Sequence, residues 1–164
     1  MDGFGLFTHQ YATLTSDSQH PRDLFDIKLL YANEGLTDKL FQVFWVYVAS
    51  SARPMHKLLA PQAPMCELPF EQEFVGMTTE PVEFNELAGV RTKLDADIKT
   101  RLTGDVAQYL LGLHDANPDF EALGFPQAAA LPAVRWKVKN LARLKQDDPT
   151  KHSDQRMRLT ALLH

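Results

Sequence analysis

The chain has 164 residues, of which 45% are hydrophobic and 23% are charged, an ordinary composition for a folded globular protein rather than a disordered one. No apolar run approaches the ~20 residues that a membrane-spanning helix needs, the first residues lack the pattern of a secretory signal, and the single cysteine, Cys66, excludes a disulfide within the chain. The net charge of −4 argues against a generic nucleic-acid-binding protein. We therefore expect a cytoplasmic protein without membrane association.

The first part of the chain predicts two adjacent helices after a weakly patterned start. Residues 1–19 show no sustained period apart from one helical turn predicted at 7–14. Pro21 suits a first helical turn and Gly35 suits a left-handed C-terminal cap, so a helix is predicted over 21–34. A broad apolar face of this helix is expected to be buried: Leu24, Phe25, Ile27, Leu29, Tyr31 and Ala32. Thr37 precedes a second predicted helix over 38–50, which is apolar around most of its circumference and assigns Trp45 and Tyr47 to the core.

The remaining sequence predicts further helices separated by proline, glycine and capping residues. The predicted segments are short helices at 54–59 and 70–74, a long amphipathic helix at 82–102, and helices at 105–113, 132–146 and 149–163. Thr103 and Asp148 are the predicted caps of the helices that follow them, and 117–124 is predicted to be a turn that ends at Gly124. The fold class is therefore mainly α, a multi-helix bundle of about six to eight helices in one domain. Any β content is expected only in the N-terminal segment or at 74–84.

Four stretches of this sequence follow one another in an order that points to a known family. The stretches are His-Pro-Arg-Asp-Leu-Phe-Asp at 20–26 with its continuation to 35, Val-Tyr-Val leading to Arg-Pro-Met-His at 46–56, Glu-Phe-Val-Gly-Met-Thr at 73–78, and Leu-Pro-Ala-Val-Arg-Trp-Lys-Val-Lys-Asn-Leu at 131–141. Together they resemble the C-terminal half of AbiEii/AbiGii-type nucleotidyltransferases, the toxins of type IV toxin–antitoxin systems. The resemblance implies that 20–164 form the helical C-terminal part of a polymerase-β-like nucleotidyltransferase, whereas 1–19 match poorly.

The resemblance also implies what this chain lacks. Whole members transfer a nucleotide from a nucleoside triphosphate (NTP) in the presence of magnesium, with RNA among their acceptors, and a cognate antitoxin neutralises them. Their N-terminal half carries a Gly-Ser motif followed by paired aspartates, and no Gly-Ser pair occurs in these 164 residues. The family's lysine is also missing from the stretch at 5–12, where His9 is a poor substitute. We therefore expect neither Mg²⁺ nor an NTP to be bound by this chain alone, and the implied partners are the missing half, an antitoxin and RNA.

The Arg-Asp segment supplies the candidate catalytic residues. By resemblance, Asp23 is the candidate general base or site-completing carboxylate, and Arg22 is the candidate cation on the phosphate side. Asp26 is the third candidate, although an i,i+4 pair with Arg22 accounts equally well for both residues. From spacing alone, Asp23 and Asp26 are also explained as a solvated first turn that complements the helix dipole.

A basic helix face near the C-terminus supplies the candidate nucleic-acid contacts. Arg135, Lys139 and Arg143 recur every four residues, and 135–158 contain eight bases against three acids. A solvated helix face explains the same pattern. The histidines do not show the spacing of a metal site, so no metal is predicted and surface or capping roles are assigned to them.

Two functional interpretations remain from the sequence. The first is a truncated AbiEii-like nucleotidyltransferase toxin component that is inactive by itself. The alternative is a non-enzymatic helical protein-interaction module. A neighbouring reading frame that encodes the Gly-Ser and paired-aspartate half favours the first interpretation, and its absence favours the second.

Overall fold

A computed structural model describes residues 20–33, 35–60 and 67–163 of the chain. Its α-helices are α1 Pro21–Asn33, α2 Asp38–Ser50, α3 Met55–Leu59, α4 Glu67–Glu73, α5 Phe84–Thr100, α6 Gly104–His114, α7 Pro132–Asp147 and α8 Pro149–Thr160, with a 3₁₀ helix at Pro126–Ala130. These ranges include no strand, and the prediction of a mainly helical protein with six to eight helices is confirmed. Within them, no helix combines the length and hydrophobicity that crossing a membrane requires. The predictions for 1–19, Cys66 and His164 lie outside the described residues.

Three predicted helix ends are confirmed by their hydrogen bonds. Gly35 has a φ of +69°, and its N–H donates to the Leu30 carbonyl at 2.9 Å, as a left-handed cap at the end of α1 requires. The Thr37 hydroxyl accepts the N–H of Leu40 at 3.3 Å, at the start of α2. Asp148 accepts the N–H of Lys151 at 3.0 Å and so caps α8. Each signal is local, which is why the sequence alone located it.

Other predicted boundaries are wrong for identifiable reasons. The helix predicted at 70–74 begins at Glu67, because Pro69 falls in a first turn whose N–H groups have no partner within the helix. Thr103 stands at the N-terminal cap position of α6, but its side chain makes no capping hydrogen bond. The connector before α7 contains the 3₁₀ helix, and α8 ends at Thr160, with turn hydrogen bonds following it.

The described residues divide into two compact units, and each is treated separately below. The first unit holds 20–41 and 67–97, and the second holds 42–60 and 98–163. Helices α2 and α5 contribute residues to both units.

The core of the first unit includes residues of α1, aromatic residues in and just after α4, and Leu87 and Leu94 of α5. Leu24, Ile27 and Leu30 are buried on α1, whereas Leu29 and Ala32 are exposed. The expectation of a broad buried face on α1 is therefore wrong for Leu29 and Ala32, whereas Phe25 and Tyr31 are half-buried. The α4 side of this core is aromatic: Phe70 and Phe74 pack at a centroid distance of 5.5 Å, and Phe74 lies 5.5 Å from Phe25 of α1.

The second unit is built around α8, which contacts α7, α6 and α3. Its core includes Trp45 of α2, as predicted, whereas Tyr47 is only half-buried. The other large core residues with the least exposure come from α2, α3, α6 and α8: Phe44, Leu58, Tyr109, Leu110, Leu113 and Leu159. Consecutive helices α7 and α8 are joined by the single residue Asp148 and pack on each other.

Candidate functional site

The Arg-Asp segment forms the first turn of α1. Pro21 opens the helix at a position where its missing N–H removes no helical hydrogen bond, and the N–H of Asp23 donates to the His20 carbonyl at 3.0 Å. Arg22 points to solvent, but Asp23 is only 8% exposed. The interpretation of Asp23 and Asp26 as a solvated pair is therefore wrong for Asp23, because the first turn of α1 packs close to α4.

A cleft of about 290 Å³ opens beside this first turn. Residues of α1 and its N-terminal approach form one side, and Glu73 and Met77 form the other. His20 and Glu73 join the two sides, with Nδ1 of His20 3.0 Å from Oε2 of Glu73, so that the ring N–H donates to the carboxylate. The cleft therefore brings Arg22 and Asp23 to the same opening as a second carboxylate.

Aromatic packing explains why Glu73 lies at this cleft. The next residue, Phe74, is buried between Phe25 of α1 and Phe70 of α4. Phe70 also meets Phe84 edge-on at 5.6 Å, which ties the start of α5 to the same cluster. Because Phe74 is fixed by rings from two helices, the carboxylate that precedes it is positioned against the first turn of α1.

The charges of this region are tuned by burial. Burial raises the pKa of the Asp26 carboxyl, and the nearby guanidinium of Arg22 opposes that rise. Arg22 and Asp26 thus interact electrostatically, as the i,i+4 spacing predicted. A buried carboxylate, an exposed carboxylate, an imidazole and a guanidinium together are suited to moving a proton and to contacting a phosphate.

The described part of the chain does not present the ligands of a metal site. The described residues contain no group of three or more His, Cys, Asp or Glu side chains placed to hold one. The residues that line the cleft include two carboxylates, Asp23 and Glu73, and the His20 ring donates a hydrogen bond to Glu73, so the cleft does not present the set of oxygen ligands that Mg²⁺ prefers. The cleft residues therefore do not fit a self-sufficient magnesium site.

The three predicted nucleic-acid contacts lie on the solvent-facing side of α7. Arg135 and Lys139 are exposed, and the structure places Arg143 on the same side. Nε of Arg143 lies 3.0 Å from a carboxylate oxygen of Asp147, but both side chains are largely exposed, so this pair contributes little stability. The face therefore presents three cations to solvent, one of them already paired.

Sequence reasoning gave no role to two neighbouring residues of α7. Trp136 is 62% exposed, whereas Lys137 is buried and donates from Nζ to the main-chain carbonyls of Ser51 and Arg53, at 2.7 and 2.5 Å. The exposure of Trp136 was readable from a helical projection, which puts it with Lys139 and opposite the buried positions. The burial of Lys137 was not readable, since its partners are more than 80 residues away in sequence.

The four stretches behind the family resemblance lie against each other in two pairs, one pair inside each unit. In the first unit, 20–35 meet 73–78 through His20 and Glu73 and through Phe25 and Phe74. In the second unit, 46–56 meet 131–141 through the Lys137 hydrogen bonds. Stretches far apart in the sequence are thus direct neighbours in space.

Comparison of the chain with protein-family models, curated proteins and solved structures finds no match.

Proposed function

We propose that this chain is the helical component of an AbiEii-like nucleotidyltransferase toxin and that it is inactive until it joins a half carrying the Gly-Ser and paired-aspartate motif. The observation that carries the proposal is the cleft beside α1, where Arg22 and Asp23 from one family-like stretch meet Glu73 from another. The toxin's setting in this proposal is the cytoplasm, under the control of an antitoxin.

The proposed reaction forms a bond between an acceptor hydroxyl oxygen, such as that of an RNA, and the α-phosphorus of an NTP, with pyrophosphate leaving. Asp23, buried in the first turn of α1 beside the cleft, accepts the proton of the attacking hydroxyl. Arg22, exposed at the same opening, contacts the phosphates. Magnesium, which supplies charge stabilisation in such reactions, belongs in this scheme to the other half.

Exposed apolar side chains near the cleft support a docking surface for that half. Met77 lines the cleft and is 68% exposed, and Val75, two residues earlier in the chain, is 65% exposed. Large apolar side chains clustered at a surface tend to be covered by a partner. The same feature favours the second candidate, a non-enzymatic interaction module, so the two functions are separated by activity and not by binding.

The test restores the second half and measures transfer. The partner is the product of a reading frame neighbouring this one that encodes the Gly-Ser and paired-aspartate motif; if no such frame exists, the interaction module is favoured. With Mg²⁺, labelled NTPs and total RNA, we expect no labelling by the chain alone and clear labelling by the mixture. Labelling by the chain alone that disappears in Asp23→Ala contradicts the requirement for a second half.

Substitutions of single carboxylates test whether Asp23 acts as the general base. In the mixture, Asp23→Asn is expected to reduce labelling by about 10²-fold or more, the usual contribution of a general base. Asp105→Asn is the matched control, because Asp105 is also a first-turn carboxylate, on α6, but is exposed and lies far along the chain. Equal effects of the two substitutions, with unchanged helical circular dichroism, would remove Asp23 from the mechanism.

A further inference from the structure

A second cleft, of about 320 Å³, lies in the second unit between α7, α8 and the segment that follows α2. Its walls combine apolar surface with amide and ammonium groups: Pro54, Trp136, Asn140, Leu144, Lys151 and Gln155. Among the residues that line it, none is acidic and two are lysines. The cleft therefore suits a ligand that is partly apolar, rich in hydrogen-bonding groups and negatively charged.

Trp136 stands at the boundary between this cleft and the basic face of α7. It lines the cleft, yet most of its surface is open to solvent. Lys139 and Asn140 follow it at i+3 and i+4, so they are its neighbours on the helix surface, and Arg143 is one turn further along. A flat aromatic side chain thus lies between a polar cleft on one side and a row of cations on the other.

Lys137 supplies a directed donor in the wall of the cleft. Its side chain is 6% exposed, and Nζ donates to two main-chain carbonyls. An ammonium group has three N–H donors, so one of them is not used by these two bonds. Burial also lowers the pKa of Lys137 to about 8, and an acceptor on a ligand would restore part of the lost hydration.

We propose that this cleft binds one unstacked base of a single-stranded RNA, with the base against Trp136 and the flanking phosphates on Lys151 and Lys139. Base stacking on exposed aromatic side chains, next to cations that follow the backbone, is the general physical basis of single-strand recognition. The amides of Asn140 and Gln155 can hydrogen-bond the edge of a base, and the hydroxyls of Ser50 and Ser51 offer partners for a 2′-hydroxyl. This inference goes beyond the proposed function, because it requires neither nucleotidyl transfer nor a second half.

The two tryptophans allow a direct measurement on the full chain. Trp45 is buried, so quenching of tryptophan fluorescence by an added oligonucleotide reports stacking on Trp136. The probe is single-stranded oligouridylate or oligoadenylate of about 12 nucleotides, within the usual site size of single-strand-binding domains. We expect saturable quenching by the RNA, with weaker binding of the matching DNA and of a duplex RNA.

Matched variants separate stacking from general attraction to a polyanion. Trp136→Leu, followed by the anisotropy of a labelled RNA, is expected to weaken binding about tenfold, as the loss of one stacked base does. Lys151→Gln is expected to weaken binding and to reduce its salt dependence, whereas Lys145→Gln, an exposed residue of α7 outside the cleft, is expected to do neither.

Each of the following results would overturn the proposal: no quenching by single-stranded RNA, equal binding of single-stranded DNA or duplex RNA, or equal losses from Lys151→Gln and Lys145→Gln. Full binding by Trp136→Leu would do so too. Because the substituted side chains of Trp136, Lys145 and Lys151 are exposed, loss of folding is not expected to obscure these comparisons.

Discussion

His114 of α6 and His152 of α8 each donate a ring Nε2–H to the main-chain carbonyl of the other, at 2.9 and 3.0 Å. Their rings stack with centroids 4.3 Å apart, and both side chains are buried. The prediction that these histidines have surface or capping roles is therefore wrong. The reciprocal pair joins α6 to α8 through two hydrogen bonds between groups 38 residues apart in sequence.

This pair predicts that the second unit loses stability in mild acid. Burial lowers the pKa of His114; its hydrogen bond to the His152 carbonyl and the charge of Asp115 oppose that effect, whereas the nearby His152 ring and Arg156 strengthen it. Burial also lowers the pKa of His56, and the nearby charges of Arg158, Lys57 and His114 add to that effect. The unfolded chain takes up a proton near pH 6.5 that the folded chain resists, so the free energy of unfolding falls as pH drops below about 6.5, by at most about 1.4 kcal/mol per pH unit for each group.

Urea denaturation between pH 7 and pH 5.5 checks this prediction. His114→Gln is expected to lower stability at pH 7 and to flatten its dependence on pH, because the titrating ring is gone. His20→Gln is the control, since His20 is exposed and belongs to the first unit. A pH dependence in His114→Gln as steep as in the unmodified chain would contradict the assignment.

Lys137 predicts that stability also rises with pH on the alkaline side. Because burial lowers its pKa to about 8 from about 10.5, the folded chain releases a proton that the unfolded chain still holds, and stability rises with pH between these values. Burial raises the pKa of Tyr109, which reverses the trend above about pH 10, where an unfolded tyrosine ionises. The useful window is therefore about pH 8 to 10.

The measurement compares the free energy of unfolding across that window in two lysine variants. In Lys137→Met, the rise of the unfolding free energy with pH is expected to disappear. In Lys139→Met, whose substituted residue is exposed and two positions away, the rise is expected to remain. If the free energy of unfolding rises equally with pH in both variants, a group other than Lys137 titrates in this window.

Gly112→Ala is predicted to destabilise the protein, although replacing glycine by alanine usually stabilises a helix. A Cβ at Gly112 would lie 2.7 Å from the Asn117 carbonyl oxygen, and the Asn117 N–H donates to the Gly112 carbonyl at 2.8 Å. The end of α6 must therefore shift, at an expected cost of about 1–3 kcal/mol. Gly89→Ala in α5 is the control: no atom lies within 4 Å of its added Cβ, and about 0.5–1 kcal/mol of stabilisation is expected. Thermal unfolding of both variants decides the point, and stabilisation by Gly112→Ala would refute the packing argument.

The features that the sequence predicted correctly are those that depend on residues close together in the chain. The bounds of α2 were predicted correctly, and so were the caps at Gly35, Thr37 and Asp148, because each depends on residues within one turn. The first turn of α1 was placed correctly as well, and with it the position of Asp23.

Features that depend on distant partners were missed. The burial of Asp23 and the approach of Glu73 depend on α4 packing beside α1, and the buried His114–His152 pair requires α6 and α8 to meet. Each of these residues is polar, so local pattern assigns it to the surface. Only tertiary contacts that no local pattern encodes reverse that assignment.

The central claim is that the surface carrying the α1 cleft binds a nucleotidyltransferase half, and amide hydrogen exchange on a mixture of the two proteins tests it most directly. We expect slower exchange in α1 and at 67–77, with α7 and α8 unchanged as the internal reference, and loss of that protection in Val75→Asp, which places a charge on the exposed apolar surface. Unchanged exchange across α1 and 67–77, in a mixture in which the chain remains a monomer, would contradict the account.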